Sequence, residues 1–481
     1  MIRSRPFTAL LFGAALSLGA CSTDKGTAQM QSASQLVSQE AAPKKAKNVI
    51  LFIGDGMGIS TITAARIYAG QKRGESGEEN LLSFEKFDNV ALVKTYNTNA
   101  QVPDSAGTAT AMHSGQKTRI GVLGIGPEAR RSSCADALAH PLPLLGEEVK
   151  ERGLALGIVS TARLTHATPA SVYARSADRD WEAFIGTASD DGSKCKDIAT
   201  QLVEADWDVA LGGGTSSFFG KEEGGRRRDD SANLPANWAA KTGGTYVTTK
   251  AELDAAPMDK PVLGLFSSSH MTYEVDRAKG QGASEPTLTD MTAQAIARLK
   301  TDAEGYYLMV ESGRIDHGHH AGQAGYALEE TVEFARAIQY AIDNTKPEET
   351  LIMVTADHSH VFTIAGYPRR GNDILGVVVP PEGGGDDGDS GEGGPTLASD
   401  GKPYTTLGYS NGPGAIANKA ERPDPDTGVN ARQQSTVPLY SETHAGEDVA
   451  LYAQGPGAEK ARGVIEQNVI YDIIRAAFGW D

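Results

Sequence analysis

The amino-acid sequence predicts an α/β protein built on a large, mostly parallel central sheet with helices on both faces. Three observations support this class. Short apolar runs alternate with amphipathic helical segments along most of the chain, as in proteins made of strand–helix units. These runs do not alternate with polar residues, which is typical of strands covered by helices on each face. The chain has no internal repeat, and 40% of its 481 residues are hydrophobic, enough for one large core.

The strand and helix segments follow one another in a regular order. The first strand, "NVILFI", ends at the turn sequence "GDGMG". Thr287 and Asp290 form a capping box at the start of a later helix. The apolar runs predict strands at residues 48–53, 154–161, 207–214, 306–310, 350–356 and 448–457. The segments with helical periodicity predict helices at residues 59–70, 143–153, 195–205, 288–300, 324–344 and 464–479.

Residues 366–436 interrupt this pattern. The stretch "PEGGGDDGDSGEGGP" at residues 381–395 is rich in glycine and acidic residues and has no periodicity. We predict a large, irregular, crown-like insertion that is partly disordered, with the acidic stretch as a solvated surface loop. A dedicated calcium-binding loop is the alternative interpretation.

The N-terminus has the features of an export signal. Arginines precede the apolar run "FTALLFGAALSLGA", which is short for a membrane span and ends in "LGAC", a sequence that resembles the lipobox of bacterial lipoproteins. We therefore predict a signal peptide at residues 1–20 and lipidation at Cys21. Residues 21–47 are polar and low in aromatics, as expected of a flexible tether to a folded domain at residues 48–481. An ordinary signal peptide cut after Ala20 is the alternative. Either way we expect an exported protein, in the periplasm or at the outer membrane surface.

Charge and cysteine content restrict the partners and the compartment. The formal net charge is −17, which argues against nucleic acid, since duplex binding normally requires a basic face. Apart from Cys21, the chain has two cysteines, Cys134 and Cys195. An even pair in an oxidising compartment fits a disulfide, and two unrelated buried cysteines are the alternative.

A candidate nucleophile lies in the stretch "VPDSAGTATAMHSG". Ser105 follows Pro103 and Asp104 among small residues, where a helix is expected to begin. A serine hydroxyl is a weak nucleophile unless another group takes its proton, and that group is usually a histidine. The one local histidine, His113, would lie on the far side of the helix. Ser105 must therefore be activated in some other way.

Carboxylates follow three of the predicted strands. Asp55, Glu311 and Asp357 each come where a strand ends, and His358 is adjacent to Asp357. Ligands of parallel α/β sheets bind beyond the carboxyl ends of the strands. One aspartate in such a place is commonly a turn or helix cap. Three carboxylates at one edge, with a histidine beside them, favour a metal site.

A second set of ligand-type residues lies in "ESGRIDHGHHAG" and near the C-terminus. Asp316 and His320 are four residues apart, so on a helical turn they share one face and can hold one metal. His444 comes just before a predicted strand in "SETHAGEDVA". A solvated histidine-rich loop is the alternative for the first stretch. Nitrogen and oxygen ligands of these kinds suit zinc, and the oxygen ligands suit magnesium.

Six ordered motifs make the chain resemble alkaline phosphatases, and the vertebrate pattern more than the enterobacterial one. They are "DGMG", "VPDSAGTATA", "HATPA", "ESGRIDHGHH", "TADHSH" and "ETHAGED", and the resemblance covers residues 47–481 apart from the insertion. It implies hydrolysis of phosphate monoesters to an alcohol and inorganic phosphate through a covalent phosphoserine, with two zinc ions and one magnesium ion. A zinc ion can lower the pKa of the serine oxygen, so that no histidine base is needed.

The resemblance also implies roles for individual residues. Ser105 resembles the nucleophile, and Arg179 resembles the arginine that binds the phosphate oxygens, with His166 and His317 beside the phosphate. The residues that resemble metal ligands are Asp316, His320 and His444 for the first zinc, Asp55, Asp357 and His358 for the second, and Asp55, Thr168 and Glu311 for magnesium.

The remaining implications concern the disulfide, the assembly and a fourth metal. Cys134 and Cys195 match a disulfide of the family, and the family pattern implies a homodimer with the insertion near the interface. Vertebrate members have a calcium site in which glutamate follows phenylalanine. Here "GLFSSSHM" has Ser267 at that position, so we do not predict this site.

Two other functions compete with phosphate monoester hydrolysis. One is a phosphodiesterase or sulfatase built on the same metal scaffold. The other is a non-catalytic lipoprotein that scavenges phosphate or metal. Both are disfavoured because the nucleophile, the arginine and the third-metal ligands all match the monoesterase pattern. The expected partners are small phosphorylated substrates, with membrane contact only through the lipid anchor.

Overall fold

The computed structural model describes residues 45–185, 195–382, 394–417 and 419–480. The predicted signal peptide, Cys21 and nearly all of the tether lie outside these residues, as does most of the acidic stretch at 381–395. Within the described part of the chain, no helix is both long and apolar enough to cross a membrane.

A ten-stranded sheet forms the centre of the fold, which confirms the predicted class. The strands of the described residues are β1 (Asn48–Gly54), β2 (Asn89–Lys94), β3 (Ala155–Arg163), β4 (Val209–Gly213), β5 (Thr245–Val247), β6 (Val262–Leu265), β7 (Tyr306–Ser312), β8 (Thr350–Ala356), β9 (Ser359–His360), β10 (Phe362–Ile364), β11 (Leu407–Gly412), β12 (Ser435–Pro438), β13 (His444–Ala445), β14 (Val449–Gln454) and β15 (Gly463–Glu466). The order in the central sheet is β15-β2-β14-β8-β1-β7-β3-β4-β6-β5. Strand β14 is antiparallel to both of its neighbours, and all other neighbouring pairs are parallel.

Helices cover both faces of this sheet. They are α1 (Ile59–Gln71), α2 (Ser105–Ser114), α3 (Cys134–Ala139), α4 (Leu145–Glu151), α5 (Ala167–Ala170), α6 (Ile198–Glu204), α7 (Leu234–Thr242), α8 (Lys250–Ala255), α9 (Glu274–Arg277), α10 (Leu288–Leu299), α11 (Arg314–His320), α12 (Ala324–Asn344) and α13 (Val469–Phe478). Helix α12 contacts both α1 and α10 on one side, and α2 contacts α4, α5 and α13 in a second group. The predicted capping box of α10 is present, with Thr287 and Asp290 each accepting a hydrogen bond from the other's backbone N–H.

The middle of the sheet is completely covered. Every residue of β7 and β8 is buried, and Phe52 of β1 meets Phe334 of α12 edge to face, with ring centroids 5.9 Å apart. Burying a side chain of this size contributes roughly 2–3 kcal/mol relative to leaving it exposed. This apolar covering explains the uninterrupted hydrophobic runs in the sequence and holds the carboxyl ends of β8, β1 and β7 in a fixed arrangement.

The C-terminal helix prediction was wrong at its start. Residues Gly463–Glu466 form β15, which pairs in parallel with β2, and α13 begins only at Val469. The β-branched residues Val464 and Ile465 fit both a helical and an extended pattern over so short a run, and pairing with β2 decides between them. Helix α6 also begins later than predicted, at Ile198, because the Asp197 side chain caps it.

The region predicted as an irregular insertion contains regular structure in its described part. Strand β11 lies within residues 366–436 and pairs with β10 on one side and β12 on the other. This small sheet could not be recognised from the sequence because its strands are short and β12 follows β11 only after a long connection.

Burial of Glu330 in the core should make the stability of the protein depend on pH. Its side chain in α12 is 2% exposed, and its Oε1 accepts a hydrogen bond from the backbone N–H of Glu274 at 2.7 Å. Burial raises the pKa of Glu330 from 4.5 to about 8, although this hydrogen bond acts in the opposite direction. The folded protein therefore keeps a proton that the unfolded chain loses, and its free energy of unfolding should fall as the pH rises from 4.5 to 8.

We expect Glu330→Gln to remove this part of the pH dependence. The variant should match the wild type at pH 4.5 and exceed its free energy of unfolding at pH 9, by on the order of 5 kcal/mol. Urea denaturation at both pH values measures the difference. The matched control is Glu348→Gln, at an exposed position, which should not change the pH dependence. A Glu330→Gln variant that tracks the wild type at both pH values would contradict the prediction.

Candidate active site

Three carboxylates meet at the carboxyl edge of the central sheet. Asp55 follows β1, Glu311 lies in β7 and Asp357 follows β8, and these strands are immediate neighbours in the order β8-β1-β7. The last residue of β1, Gly54, pairs with Ser312 on one side and with Ala356 on the other. All three carboxylates are completely buried. The structure thus brings together the residues that the sequence placed at separate strand ends.

Four oxygen atoms of these carboxylates have no hydrogen-bond partner among the described residues. Both carboxylate oxygens of Asp55, Oε1 of Glu311 and Oδ2 of Asp357 are buried and without hydrogen-bond partners there. The pKa of Asp55 is raised well above its usual range by burial and by the negative charges of Asp357, Asp316 and Glu311. Burial raises the pKa of Glu311 to about 7, although its hydrogen bond with Ser160 acts in the opposite direction. Buried, unpaired carboxylates of this kind are expected where a cation binds.

Helix α11 brings Asp316 and His320 onto one face, one turn apart. The Nε2 atom of His320 lies 3.2 Å from Oδ1 of Asp316. His444 reaches the same place from β13, which pairs with β9, and its Nε2 lies 3.1 Å from that of His320 and 3.4 Å from Oδ1 of Asp316. The three residues predicted as one ligand set therefore surround a common point.

The donor atoms fall into overlapping groups in which all atoms lie within 4.8 Å of one another. One group joins Asp55, Asp357 and His358, and His358 Nε2 lies 3.4 Å from each carboxylate. A second joins Asp55, Glu311 and His166. Thr168 is two residues after His166, and its buried hydroxyl has no hydrogen-bond partner in the described part of the chain. Asp55 belongs to both groups, as expected of a carboxylate shared by two metal positions.

Ser105 is the first residue of α2, as predicted. The side chain of Asp104 caps this helix by accepting a hydrogen bond from Gly107 N at 3.0 Å. The Oγ atom of Ser105 lies 3.2 Å from Nε2 of His358, and the residue is 2% exposed. His113 is buried on the other side of α2, where its Nε2 lies 2.9 Å from the Tyr307 hydroxyl. His113 is thus a core residue and not a base for Ser105.

Arg179 lies beside Ser105 and is held on two sides. One guanidinium nitrogen donates to Oδ2 of Asp104 at 3.0 Å, and the other donates to Nε2 of His166 at 3.1 Å. The ring of His317 lies next to that of His166, with the two ring centroids 5.7 Å apart. The structure thus brings Arg179, His166 and His317 together at one side of the nucleophile.

Sequence reasoning missed His360 and Glu442. His360 Nε2 lies 2.9 Å from Oδ1 of Asp316, and its Nδ1 lies 2.6 Å from Oε2 of Glu442. Burial alone would lower the pKa of His360, but Glu442 and Asp316 raise it to about 10. The spacing of His358 and His360 in "TADHSH" was an available signal, whereas nothing in the local sequence connects Glu442 with either histidine.

Two further predictions concern residues outside the metal groups. Cys134 and Cys195 form a disulfide with an S–S distance of 2.09 Å and a Cα–Cα distance of 5.9 Å. Ser267 follows the buried Phe266, and its hydroxyl donates to the carbonyl of Ser269 at 2.8 Å. The position thus offers a hydroxyl and no carboxylate.

A sheet edge that gathers buried carboxylates and histidines around a helix-capped serine is characteristic of metal-dependent α/β enzymes. Sequence and structure comparisons identify the family. The profile described as "Alkaline phosphatase" matches residues 46–479. The tissue-nonspecific alkaline phosphatase isozyme of Gallus gallus is 44% identical over 88% of this chain and 83% of its own length. The chain therefore belongs to the alkaline phosphatase family.

Solved structures agree with this assignment. The alkaline phosphatase of the Antarctic bacterium TAB5 superposes with a TM-score of 0.62 at 25% identity, covering 91% of this chain and 99% of that one. The Thermus thermophilus alkaline phosphatase has the same fold, with a TM-score of 0.66 at 24% identity over 91% of this chain and 93% of that one.

Proposed function

We propose that this protein hydrolyses phosphate monoesters through a covalent phosphoserine at Ser105, using two zinc ions and one magnesium ion. The observation that carries the proposal is the position of Ser105 Oγ, 3.2 Å from Nε2 of His358. His358 belongs to a group with Asp55 and Asp357, whose buried oxygens include three without partners among the described residues. A serine beside such a group is suited to attack a phosphorus atom.

The residues present fit these metals. Zinc accepts imidazole and carboxylate ligands, and magnesium prefers oxygen ligands such as carboxylates and hydroxyls. We assign Asp316, His320 and His444 to the first zinc, Asp55, Asp357 and His358 to the second, and Asp55, Thr168 and Glu311 to magnesium. When bound, the zinc ions would lower the pKa of the Ser105 hydroxyl and of water, and magnesium would add positive charge beside the phosphate.

The side chains would bind the phosphate and carry out two displacements. Arg179 would hold two phosphate oxygens, with its guanidinium oriented by Asp104. Ser105 Oγ would attack phosphorus as the ester P–O bond breaks, and the leaving alcohol would take up a proton. Water would then attack the phosphoserine, break the bond between Ser105 and phosphorus, and release inorganic phosphate. The N-terminus of α2 would favour the anion at Ser105.

One experiment tests this function against its competitors. Turnover of p-nitrophenyl phosphate and of bis(p-nitrophenyl) phosphate should be measured before and after chelation of the metals. We expect the monoester to be hydrolysed much faster and chelation to abolish its hydrolysis. A preference for the diester would favour a phosphodiesterase, and p-nitrophenyl sulfate extends the comparison to a sulfatase. No turnover of any ester by metal-loaded protein would favour a scavenging protein.

His166 should control the affinity of the magnesium position. It lies in the donor group with Asp55 and Glu311, where it contributes an imidazole and no negative charge. We expect His166→Asp to tighten magnesium by about tenfold, because a carboxylate attracts the waters that magnesium retains. In the wild type, excess zinc should displace magnesium, since zinc accepts nitrogen ligands readily. Phosphate release should slow in the variant because the retained cation attracts the product.

Two measurements check this prediction. Magnesium titrations of activity at fixed zinc give the midpoint for each protein, and elemental analysis after gel filtration counts the magnesium retained. Equal midpoints, or weaker binding in His166→Asp, would show that this side chain does not govern the site. The control His140→Asn changes an exposed histidine and should leave both readings unchanged.

The location and assembly of the protein are also proposals. We propose export, with a lipid anchor at Cys21, in the periplasm or at the outer membrane surface. Unchanged processing and membrane association in Cys21→Ser would favour the ordinary signal peptide. We further propose a homodimer with the 366–436 region near its interface, and a monomeric mass in sedimentation equilibrium would contradict it.

A further inference from the structure

A loop with no role in the mechanism proposed above holds the backbone of Arg179. This loop, residues 121–132, lies between α2 and α3. The backbone N–H of Arg179 donates to the carbonyl of Gly121 at 2.9 Å, and the N–H of Gly121 donates to Oδ2 of Asp104 at 3.0 Å. The same oxygen accepts from the guanidinium of Arg179. The loop therefore contacts both the main chain of Arg179 and the carboxylate that orients its side chain.

Arg131 in this loop forms an ion pair with the residue that precedes Arg179. Its Nε and Nη2 donate to the two carboxylate oxygens of Asp178, at 3.1 and 2.8 Å. Asp178 is 8% exposed, and although burial raises its pKa, hydrogen bonds from Arg131 and Ser132 hold that pKa below its usual range. The carboxylate is therefore charged at neutral and alkaline pH. A guanidinium that binds both carboxylate oxygens fixes the orientation of the pair as well as attracting the charge.

Ser132 adds two contacts to the same segment. Its Oγ donates to Oδ2 of Asp178 at 2.6 Å, and its backbone N–H donates to the carbonyl of Ala177 at 2.8 Å. Ser132 is the only non-glycine residue in the described part of the chain with a positive φ, 63°. A residue persists in such a conformation only where the surrounding structure fixes it. Two adjacent loop residues thus hold the main chain just before Arg179.

The side chain of Arg131 also packs against Gly121. A Cβ atom at residue 121 would lie 2.7 Å from Cδ and from Nε of Arg131, and Gly121 has a φ of 81°. Glycine adopts this conformation without strain and leaves room for the arginine to cross the main chain. Arg131 therefore reaches Arg179 by two routes, through Asp178 and through Gly121.

We propose that Arg131 is a positioning residue for Arg179, which sets the place where the guanidinium of Arg179 meets the phosphate. The inference rests on the proposed function, because Arg179 must bind the phosphate for its position to matter. Arg131 does not touch the substrate and acts only by fixing the backbone at Asp178 and Arg179. A displacement of about 1 Å in a binding group can reduce catalysis on the order of a hundredfold, so a loop without a reacting group still influences turnover.

Two neighbouring arginines provide matched substitutions. Arg131→Ala removes the contacts with Asp178 and Gly121. Arg130→Ala removes a similar ion pair from the same loop, in which Nε of Arg130 lies 2.7 Å from Oδ2 of Asp136 in α3. Asp178→Asn approaches the pair from the other side, because it removes the charge and keeps the shape of the side chain.

The readouts are kcat/KM for p-nitrophenyl phosphate and the inhibition constant of inorganic phosphate, with zinc and magnesium in excess. We expect Arg131→Ala to lower kcat/KM and to weaken phosphate inhibition, each roughly tenfold. Asp178→Asn should change both in the same direction but by less, since an amide oxygen still accepts a hydrogen bond. Arg130→Ala should leave both near their wild-type values. Unchanged values in Arg131→Ala and Asp178→Asn would overturn the proposal.

A double-mutant cycle with Arg179→Ala separates positioning from a general loss of structure. If Arg131 acts through Arg179, Arg131→Ala should have almost no effect on kcat/KM once Arg179 has been replaced. A fall as large as that in the wild-type background would overturn the proposal and assign Arg131 a structural role. Thermal melting and elemental analysis show whether each variant is folded and metal-loaded, and the cycle is run with Asp178→Asn if Arg131→Ala does not fold. Wild-type protein that does not hydrolyse p-nitrophenyl phosphate would refute the proposed function instead, so the two failures are distinguishable.

Discussion

Ser105→Ala should reduce hydrolysis of p-nitrophenyl phosphate on the order of 10³-fold or more, while the protein stays folded and keeps its metals. Among the described residues, Ser105 is the only serine or threonine whose side chain forms a hydrogen bond with Nε2 of His358. The substitution removes only this oxygen, because the helix cap comes from Asp104 and not from Ser105. The change should therefore affect the nucleophile without disturbing α2.

The matched control lies at the other end of the same helix. Ser114 is buried, and its hydroxyl donates to the carbonyl of Thr110 at 2.7 Å, away from the carboxylates. Ser114→Ala should keep near wild-type turnover. Acid quenching of wild-type protein during turnover, followed by peptide mass spectrometry, should find phosphate on the peptide that contains Ser105. Phosphate trapped on a different residue would refute the assignment.

Asp55→Asn should remove metal from two positions at once and lower turnover on the order of 10³-fold. Asp55 belongs both to the group with Asp357 and His358 and to the group with Glu311 and His166. An asparagine carries no charge and cannot bridge two cations as a carboxylate does. Elemental analysis after gel filtration should therefore show a loss of both zinc and magnesium.

The comparison variant is Glu311→Gln, which belongs to only one of these groups. It should lose magnesium and retain zinc. Loss of a single metal in Asp55→Asn, or equal losses in both variants, would contradict the shared role of Asp55.

In metal-free protein, Asp55→Asn should raise the free energy of unfolding, although the same substitution lowers turnover of the metal-loaded enzyme. Burial and neighbouring carboxylates raise the pKa of Asp55 well above its usual range, so its ionised form is unfavourable in the folded, metal-free state. A raised carboxyl pKa lowers the free energy of unfolding as pH rises through that value. Metal-free Asp55→Asn should therefore resist urea better than metal-free wild type at pH 8, and less so at pH 5.

The parts of the fold that the sequence predicted correctly are those with local signals. Uninterrupted apolar runs identified the central strands, and the helix at residues 324–344 was predicted with its observed bounds. Strand β15 was wrongly predicted as helix because Val464 and Ile465 fit both the helical and the extended pattern. Only pairing with β2 determines their conformation. Short strands such as β9 and β13 have no local signal, since they are defined by pairing across a long separation in sequence.

The residues of the candidate site also differ in whether local sequence reveals them. Carboxylates at strand ends and the Asp316–His320 spacing can be read from short segments. Glu442 could not be found in this manner, because its partners come from other elements of the fold. Glu442 is identified only by its contact with His360.

The reversed strand β14 determines when the native structure can form. It follows β1 to β13 in the sequence, yet it lies inside the sheet between β8 and β2. Strand β2, which pairs with β15 on its outer side, is therefore not joined to the rest of the sheet until residues 449–454 are available. Contacts between distant segments form slowly, because loop closure costs entropy before the contacts stabilise the chain. His444 contacts the carbonyl of Pro103 across a separation of 341 residues, so the donor atoms around Ser105 can come together only after residue 444 has been synthesised.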